Sequence, residues 1–248
     1  MKSFEEGVRG RDFSPEKSLP RGLSRQTLHV LRAGRMAYRE ALALQERLER
    51  ARLAGEVPDT VIAVEHPPVI TIGHRGDARN VVASADHLSR LGIEVVRTDR
   101  GGDVTYHGPG QCVLYPIVHL DRCRLTVAGF IEKLEECMIR AAADHGVTAL
   151  RLPGCPGVFV GGDKLGAVGI HVSRGVTTHG LAFNADPDLS HFELIVPCGL
   201  RDHGVTSLRR AGGSPVDLEE IERRLIGHIA ALLGREVKLV DVRADTVT

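Results

Sequence analysis

Apolar residues between positions 36 and 53 recur at three- and four-residue steps, at Met36, Ala37, Ala41, Leu44, Leu48 and Ala51, which predicts an amphipathic helix ended by Gly55. The same period returns over residues 126–145, where Phe130, Leu134, Cys137, Met138 and Ala141 share one face and Gly146 follows. A third helix is predicted over 217–233 and a short one over 84–91. Between these segments the pattern is β-like. Runs at 60–65 and 69–73 flank His66-Pro67-Pro68, where two residues lack an N–H, and predict a strand pair or a bent strand. Further strands are expected at 94–98, 112–119, 157–160, 165–172, 176–184 and 236–240, with Gly161-Gly162-Asp163 and Ser173-Arg174-Gly175 as turns. Residues 1–25 show no apolar periodicity and read as a mobile extension, leaving residues 26–248 as a single domain. Long helices interleaved with clustered hairpins imply an α+β fold with a mostly antiparallel or mixed sheet.

Charge narrows the partners. Thirty-two basic residues balance thirty-two acidic ones in a chain of 248, so no global field draws it to nucleic acid or to an anionic membrane. No apolar run approaches the roughly 18 residues of a membrane span, and the start lacks the apolar stretch of a signal peptide. A cytoplasmic protein is expected. The five cysteines, at 112, 123, 137, 155 and 198, form no Cys-x-x-Cys pair and no zinc spacing, which suggests free thiols. No histidine cluster resembles a metal site, so no metal or other cofactor is expected.

The glycine- and proline-rich stretch 100–111, RGGDVTYHGPGQ, reads as a loop of residues 99–111 that holds an Arg, a Tyr, a His and a Gln close to backbone free of side chains. It is not a phosphate-binding P-loop, because Gly-Lys-Ser/Thr is absent. A second such loop covers 153–163. Taken alone, each cysteine is most simply a small core residue.

RGGDVTYHGPGQ followed by Tyr115-Pro116 resembles the signature of the lipoyl(octanoyl) transferases. The resemblance extends over about residues 27–240, through EHPPVITIGHRGD at 65–77, PGVFV at 156–160, DKLGAVGIHV at 163–172, HGLAFNADPDLSHF at 179–192 and the Ile195-Val196-Pro197-Cys198-Gly199 segment. Departures occur at His74, usually Arg, at 165–169, usually Ile-Ala-Ser-Ile-Gly, and at Val196, usually Asn. They bear on chain-length preference rather than on catalysis.

That resemblance implies the fold of the biotin and lipoate protein ligase catalytic domain. It implies Cys198 as nucleophile, with Cys155 as its rival, Lys164 as the cation that favours the thiolate, and His107 as a group that orients substrate, polarises a carbonyl or shuttles a proton. The substrate-binding stretches it implies are Arg100, Gly101, Gly102, Asp103, Val104, Thr105, Tyr106 and His107, together with Ala167, Val168, Gly169, Gly180, Leu181 and Ala182. Small apolar residues suit an alkyl tunnel, where each buried methylene contributes about 0.8 kcal/mol. Leucine at 169 or 180 is expected to block that tunnel and leave the fold intact. The implied donor is octanoyl-acyl carrier protein, and the implied acceptors are lipoyl domains of 2-oxoacid dehydrogenases and the glycine cleavage H protein. Rival readings are an ATP-dependent lipoate-protein ligase, a cysteine-dependent octanoyl amidotransferase between carrier domains, and a non-catalytic acyl-carrier-binding module.

Overall fold

The computed structural model describes residues 27–196, 203–212 and 216–240. The extension expected over residues 1–25 and Cys198 both lie outside the described residues.

The elements follow in the order β1 (Thr27–Arg35), α1 (Tyr38–Ala54), β2 (Thr60–Glu65), β3 (Val69–Ile72), α2 (Ala85–Arg90), β4 (Glu94–Arg97), β5 (Val104–His107) and β6 (Gln111–Ile117). Then come α3 (Val127–Ala143), β7 (Leu150–Leu152), β8 (Cys155–Val160), β9 (Asp163–Ser173), β10 (Val176–Asn184), α4 (Leu208–Gly212), α5 (Leu218–Leu233) and β11 (Glu236–Val240). Helix ends are set chemically. Gly55 adopts φ 79° beyond α1, the Thr126 hydroxyl accepts from Gly129 N at the start of α3, and the Asp217 carboxylate does the same for Glu219 N at α5.

Eight strands form one mixed sheet in the order β11-β1-β2-β6-β10-β9-β8-β7, and β4-β3-β5 form a smaller one. The expected α+β architecture is therefore present. β1 runs parallel to β2 and β11, and the remaining neighbours in the large sheet are antiparallel. Helices α3 and α5 cover one face of the large sheet, where Phe130, Leu134, Met138, Leu225 and Ile229 meet Leu114, Leu181 and Phe183. Helix α1 covers the other face through Tyr38, Leu44 and Leu48 against Val113, Tyr115 and Ile117.

Two sequence expectations change, and one strand is new. The runs at 60–65 and 69–73 are not paired with each other: His66-Pro67-Pro68 carries the chain out of the large sheet into the small one, where β3 pairs with β4 and β5. The loop expected over 99–111 contains strand β5, whose Val-Thr-Tyr-His alternation is masked by flanking glycines. Residues 27–35 form a strand in the interior of the large sheet, between β11 and β2.

Candidate active site

A pocket lies on the α1-bearing side of the large sheet. Its floor comes from Gln111, Val113 and Tyr115 of β6, from Gly180, Ala182 and Asn184 of β10, and from Lys164, Ala167, Val168 and Gly169 of β9. Arg100, Gly101, Gly102, Thr105 and His107 close it from the side of the small sheet, and Tyr38, Phe192 and Val205 complete the wall. The glycine-rich stretch, Lys164 and the small residues of β9 and β10 thus meet in one cavity although far apart in sequence.

Strand parity sorts the 100–107 stretch. Thr105 and His107 face the pocket, whereas Val104 and Tyr106 are buried among Ile70, Ile72, Leu88 and Phe192 in the core of the small sheet. The Tyr106 hydroxyl lies 2.7 Å from His191 Nδ1. Asp103 also turns away: its carboxylate accepts from Asp77 N at 2.9 Å and from the Asn80 amide. Arg100 is buried, with Nε on the Thr71 hydroxyl at 3.0 Å and Nη1 and Nη2 on the carbonyls of Gly101, Thr71 and Asp103 at 2.9, 2.7 and 2.8 Å. This guanidinium fastens the glycine-rich segment to β3 while forming part of the pocket wall. Leu181 lines the pocket and also belongs to the core beneath α3 and α5.

Gly169 and Gly180 correct the expectation of a leucine block with an intact fold. A Cβ on Gly180 would stand 2.1 Å from the Leu114 carbonyl oxygen, and one on Gly169 would stand 2.8 Å from that of Gly101. Both contacts are with backbone, so any side chain there forces strands or loop apart. Ala167 and Ala182 are the positions where added bulk reaches the pocket.

Lys164 is only 9% exposed, unusual for a lysine after a hairpin turn, and its Nζ sits 5.2 Å from the centre of the Phe159 ring. Its backbone is clamped by the chain that follows position 202: Lys164 N donates to Gly204 O at 2.9 Å and Thr206 N donates to Lys164 O at 3.0 Å.

His107 is 5% exposed, and burial, with His66 5.8 Å away ring to ring, pushes it down to about 3. It is therefore a neutral imidazole at physiological pH. Burial also pushes His66 down to about 4; its Nδ1 donates to Met36 O at 2.8 Å, so Nε2 accepts from the Tyr115 hydroxyl at 2.8 Å. His179, outside the expected site set, lines the pocket with φ 56°, a left-handed conformation rare for a residue with a side chain. Gln45 Oε1 accepts from His179 N at 2.6 Å, and the ring donates from Nε2 to Asp99 Oδ1 at 2.7 Å. That hydrogen bond holds the Asp99 carboxyl down at about 2. Tyr38, Gln111, Tyr115, His179 and Asn184 are pocket residues the sequence reading did not select.

The thiols divide by environment. Cys112 and Cys137 are buried under α5, and burial pushes both well above the ordinary thiol range. Cys123, half-buried beside Asp59 and Arg235, is also raised by burial. Cys112 and Cys137 are thus the small core residues expected of cysteines taken alone. Cys155 is half-buried in a groove that shares Gly101, Gly102, Pro156, Lys164, Val168 and Gly169 with the pocket. Among the described residues no helix is long and apolar enough to cross a membrane.

Residues 37–230 match the family model of the lipoyl protein ligase A/B catalytic domain. The chain is 44% identical to an octanoyltransferase of Alkaliphilus metalliredigens over 85% of its own length and 97% of the relative's. It is 45% identical to an octanoyltransferase of Roseiflexus sp. over 87% and 91%. Among solved structures it resembles a lipoate-protein ligase A bound with ATP, with TM-score 0.74 and 16% identity over 89% of this chain and 91% of that one, a likeness of fold. It also resembles a putative lipoate protein ligase from T. acidophilum, with TM-score 0.71 and 16% identity over 90% and 92%. With the family model covering most of the chain and octanoyltransferases aligned nearly end to end, the chain belongs to the lipoyl(octanoyl) transferase family and is an acyltransferase of protein lipoylation.

Proposed function

We propose that this chain moves an octanoyl group from octanoyl-acyl carrier protein to a lysine of a lipoyl domain, by way of a thioester on Cys198. Lys164 carries the reading: a lysine only 9% exposed, lining the same pocket as the small residues Ala167, Gly169, Gly180 and Ala182, is placed to serve a charge change there. An ordinary thiol, with a pKa of about 8.5, is only roughly 3% ionised at pH 7, and a neighbouring cation raises that fraction.

In the first step the Cys198 thiolate attacks the thioester carbonyl, a new C–S bond forms, the old one breaks, and the Lys164 ammonium protonates the departing carrier thiolate. Lys164 is then a neutral amine. In the second step the acceptor lysine's amine attacks the acyl-enzyme, a C–N bond replaces the C–S bond, and Lys164 takes up the proton released by nitrogen. The thiolate and ammonium are regenerated. Both steps exchange acyl groups already activated as thioesters, so no nucleotide is consumed. The alkyl chain lies against Ala167, Val168 and Ala182, while Gly101 and Gly102 allow close approach of the reacting end.

Acceptors would be the lipoyl domains of 2-oxoacid dehydrogenases and the glycine cleavage H protein. Intact-protein mass spectrometry after incubation with octanoyl-acyl carrier protein tests the proposal. A single octanoyl adduct without ATP, mapped to Cys198 and discharged by a lipoyl domain, is expected. An adduct on Cys155 would overturn the nucleophile. A strict need for ATP and free octanoate would favour a ligase, and acylation only from an octanoylated carrier domain would favour an amidotransferase.

A further inference from the structure

Gln111 and Asn184 stand directly opposite each other in the antiparallel pairing of β6 with β10. Their amides form a chain whose polarity is fixed at two points. Asn184 Nδ2 donates to the carbonyl of Thr206 at 3.0 Å, so Asn184 Oδ1 must turn the other way, towards Gln111. There it accepts from Gln111 Nε2 at 2.8 Å, the same nitrogen that lies 3.3 Å from the Tyr106 carbonyl. Backbone carbonyls only accept, so neither amide can be reversed without setting oxygen against oxygen. Gln111 Oε1 is thereby left facing His107 Nδ1 at 2.7 Å, and an amide oxygen requires a donor.

We infer that Gln111 and Asn184 are positioning residues: their relay fixes His107 with its proton on Nδ1 and a bare lone pair on Nε2, the nitrogen left for the pocket. His107 Nε2 makes no hydrogen bond with any described residue. The tautomer decides among the roles open to this histidine. A bare Nε2 has no hydrogen with which to polarise a carbonyl oxygen, and a ring this deeply buried does not take up a proton at neutral pH. What remains is an acceptor for an N–H group. In the reaction proposed above, on which this half of the inference rests, that group is the attacking lysine amine. Accepting one of its hydrogens aims the nitrogen lone pair away from the ring and towards the acyl carbon. The relay also ends on Thr206, whose N–H is bonded to the Lys164 carbonyl, so the acceptor and the proton carrier hang on one hydrogen-bonded chain.

The experiment is long-range ¹H–¹⁵N correlation of the histidine side chains in the full-length protein, assigned with His107→Asn, alongside single-turnover kinetics. The parent should show a proton-bearing Nδ1 and a pyridine-type Nε2 at position 107. Gln111→Met should lose that signature and slow transfer from preformed acyl-enzyme to lysine about tenfold more than it slows acyl-enzyme formation, the scale of one hydrogen bond. Gln111→Glu sets a carboxylate oxygen against Asn184 Oδ1 and the Tyr106 carbonyl and draws a proton onto the ring, so it should lose the pyridine-type Nε2 and fail to recover the second step. A proton on Nε2 in the parent overturns the inference. So does a folded Gln111→Met protein that carries out both steps at parental rates. If the parent forms no acyl-enzyme from octanoyl-acyl carrier protein, the proposed reaction fails, and the tautomer measurement still decides the relay.

Discussion

Beneath α3 and α5, strands β6 and β10 present Cys112, Leu114, Leu181 and Phe183; on their other face, one residue out of step, they present Gln111, Tyr115, Ala182 and Asn184 to the pocket. The first face is dry, and a thiol placed there is suppressed by burial. The second holds hydroxyls, amides and imidazoles that find one another at 2.7 to 2.8 Å. Side chains alternate with a period of two, so a register slip by one residue would exchange the two sets and cost both core and site. Apart from Leu181, which touches both sides, these two strands divide the core beneath α3 and α5 from the pocket by parity.

The largest effect that tests this separation is on the dry face. Phe130 is fully buried there, and Phe130→Ala should cost about 3–5 kcal/mol, lowering the melting temperature by on the order of 10 °C, with transfer per folded molecule unchanged. A matching loss of turnover in the folded fraction would show that the faces are coupled. Next is Lys164→Ala, expected to lower octanoyl transfer at least about 100-fold with little change in melting temperature. Lys164→Arg should keep much of the alkylation rate of Cys198 near pH 7 yet transfer poorly, because arginine does not release a proton. Parental turnover in both variants would make Lys164 a structural group.

Much of this was legible beforehand, and the gaps have physical causes. Helices α1, α3 and α5 and strand β10 follow from periodicity, because each buries a continuous stripe or face, and β9 follows from its apolar run between two glycine turns. Strand β5 was hidden by the glycines around it, and the separation of β2 from β3 depends on where the chain goes after two prolines, which local pattern does not encode. Lys164 and His107 stood out through their motifs. Gln111 lay inside the same motif, but its task appears only once β6 is paired with β10 and Asn184 falls opposite it. Tyr38 and His179 reach the pocket from a helix and from a left-handed strand residue, positions that no spacing rule signals. Glycines 169 and 180 looked like tunnel wall because smallness serves both a void and a close backbone contact.

A smaller effect sharpens the pocket side of the comparison. Ala167→Leu adds bulk at the pocket and should slow octanoyl transfer about tenfold while sparing a two-carbon acyl donor. Equal losses for both donors would place the alkyl chain elsewhere. The smallest expected effect is on acid stability. Asp99 is held at about 2 by the His179 ring, below its unfolded value of about 3.9, so its contribution is complete above that value and disappears as pH falls from about 4 to 2. With the carboxylate 53% exposed, solvent screening limits the contribution to under about 1 kcal/mol. Asp99→Asn should flatten the acid limb of the stability curve by that amount, measured by urea unfolding at a series of pH values; an unaltered limb would dissolve the pair.

His179 carries a further consequence for how this protein can be changed. Its left-handed backbone costs on the order of 1 kcal/mol relative to glycine, and the strand around it tolerates that cost because Gln45 and Asp99 hold the residue at both ends. Glycine at 179 would relieve that cost but would empty a buried site and forfeit the bond to Asp99, so relief of strain at this codon does not become heat resistance. Thermal improvement of the enzyme has to be sought elsewhere in the chain.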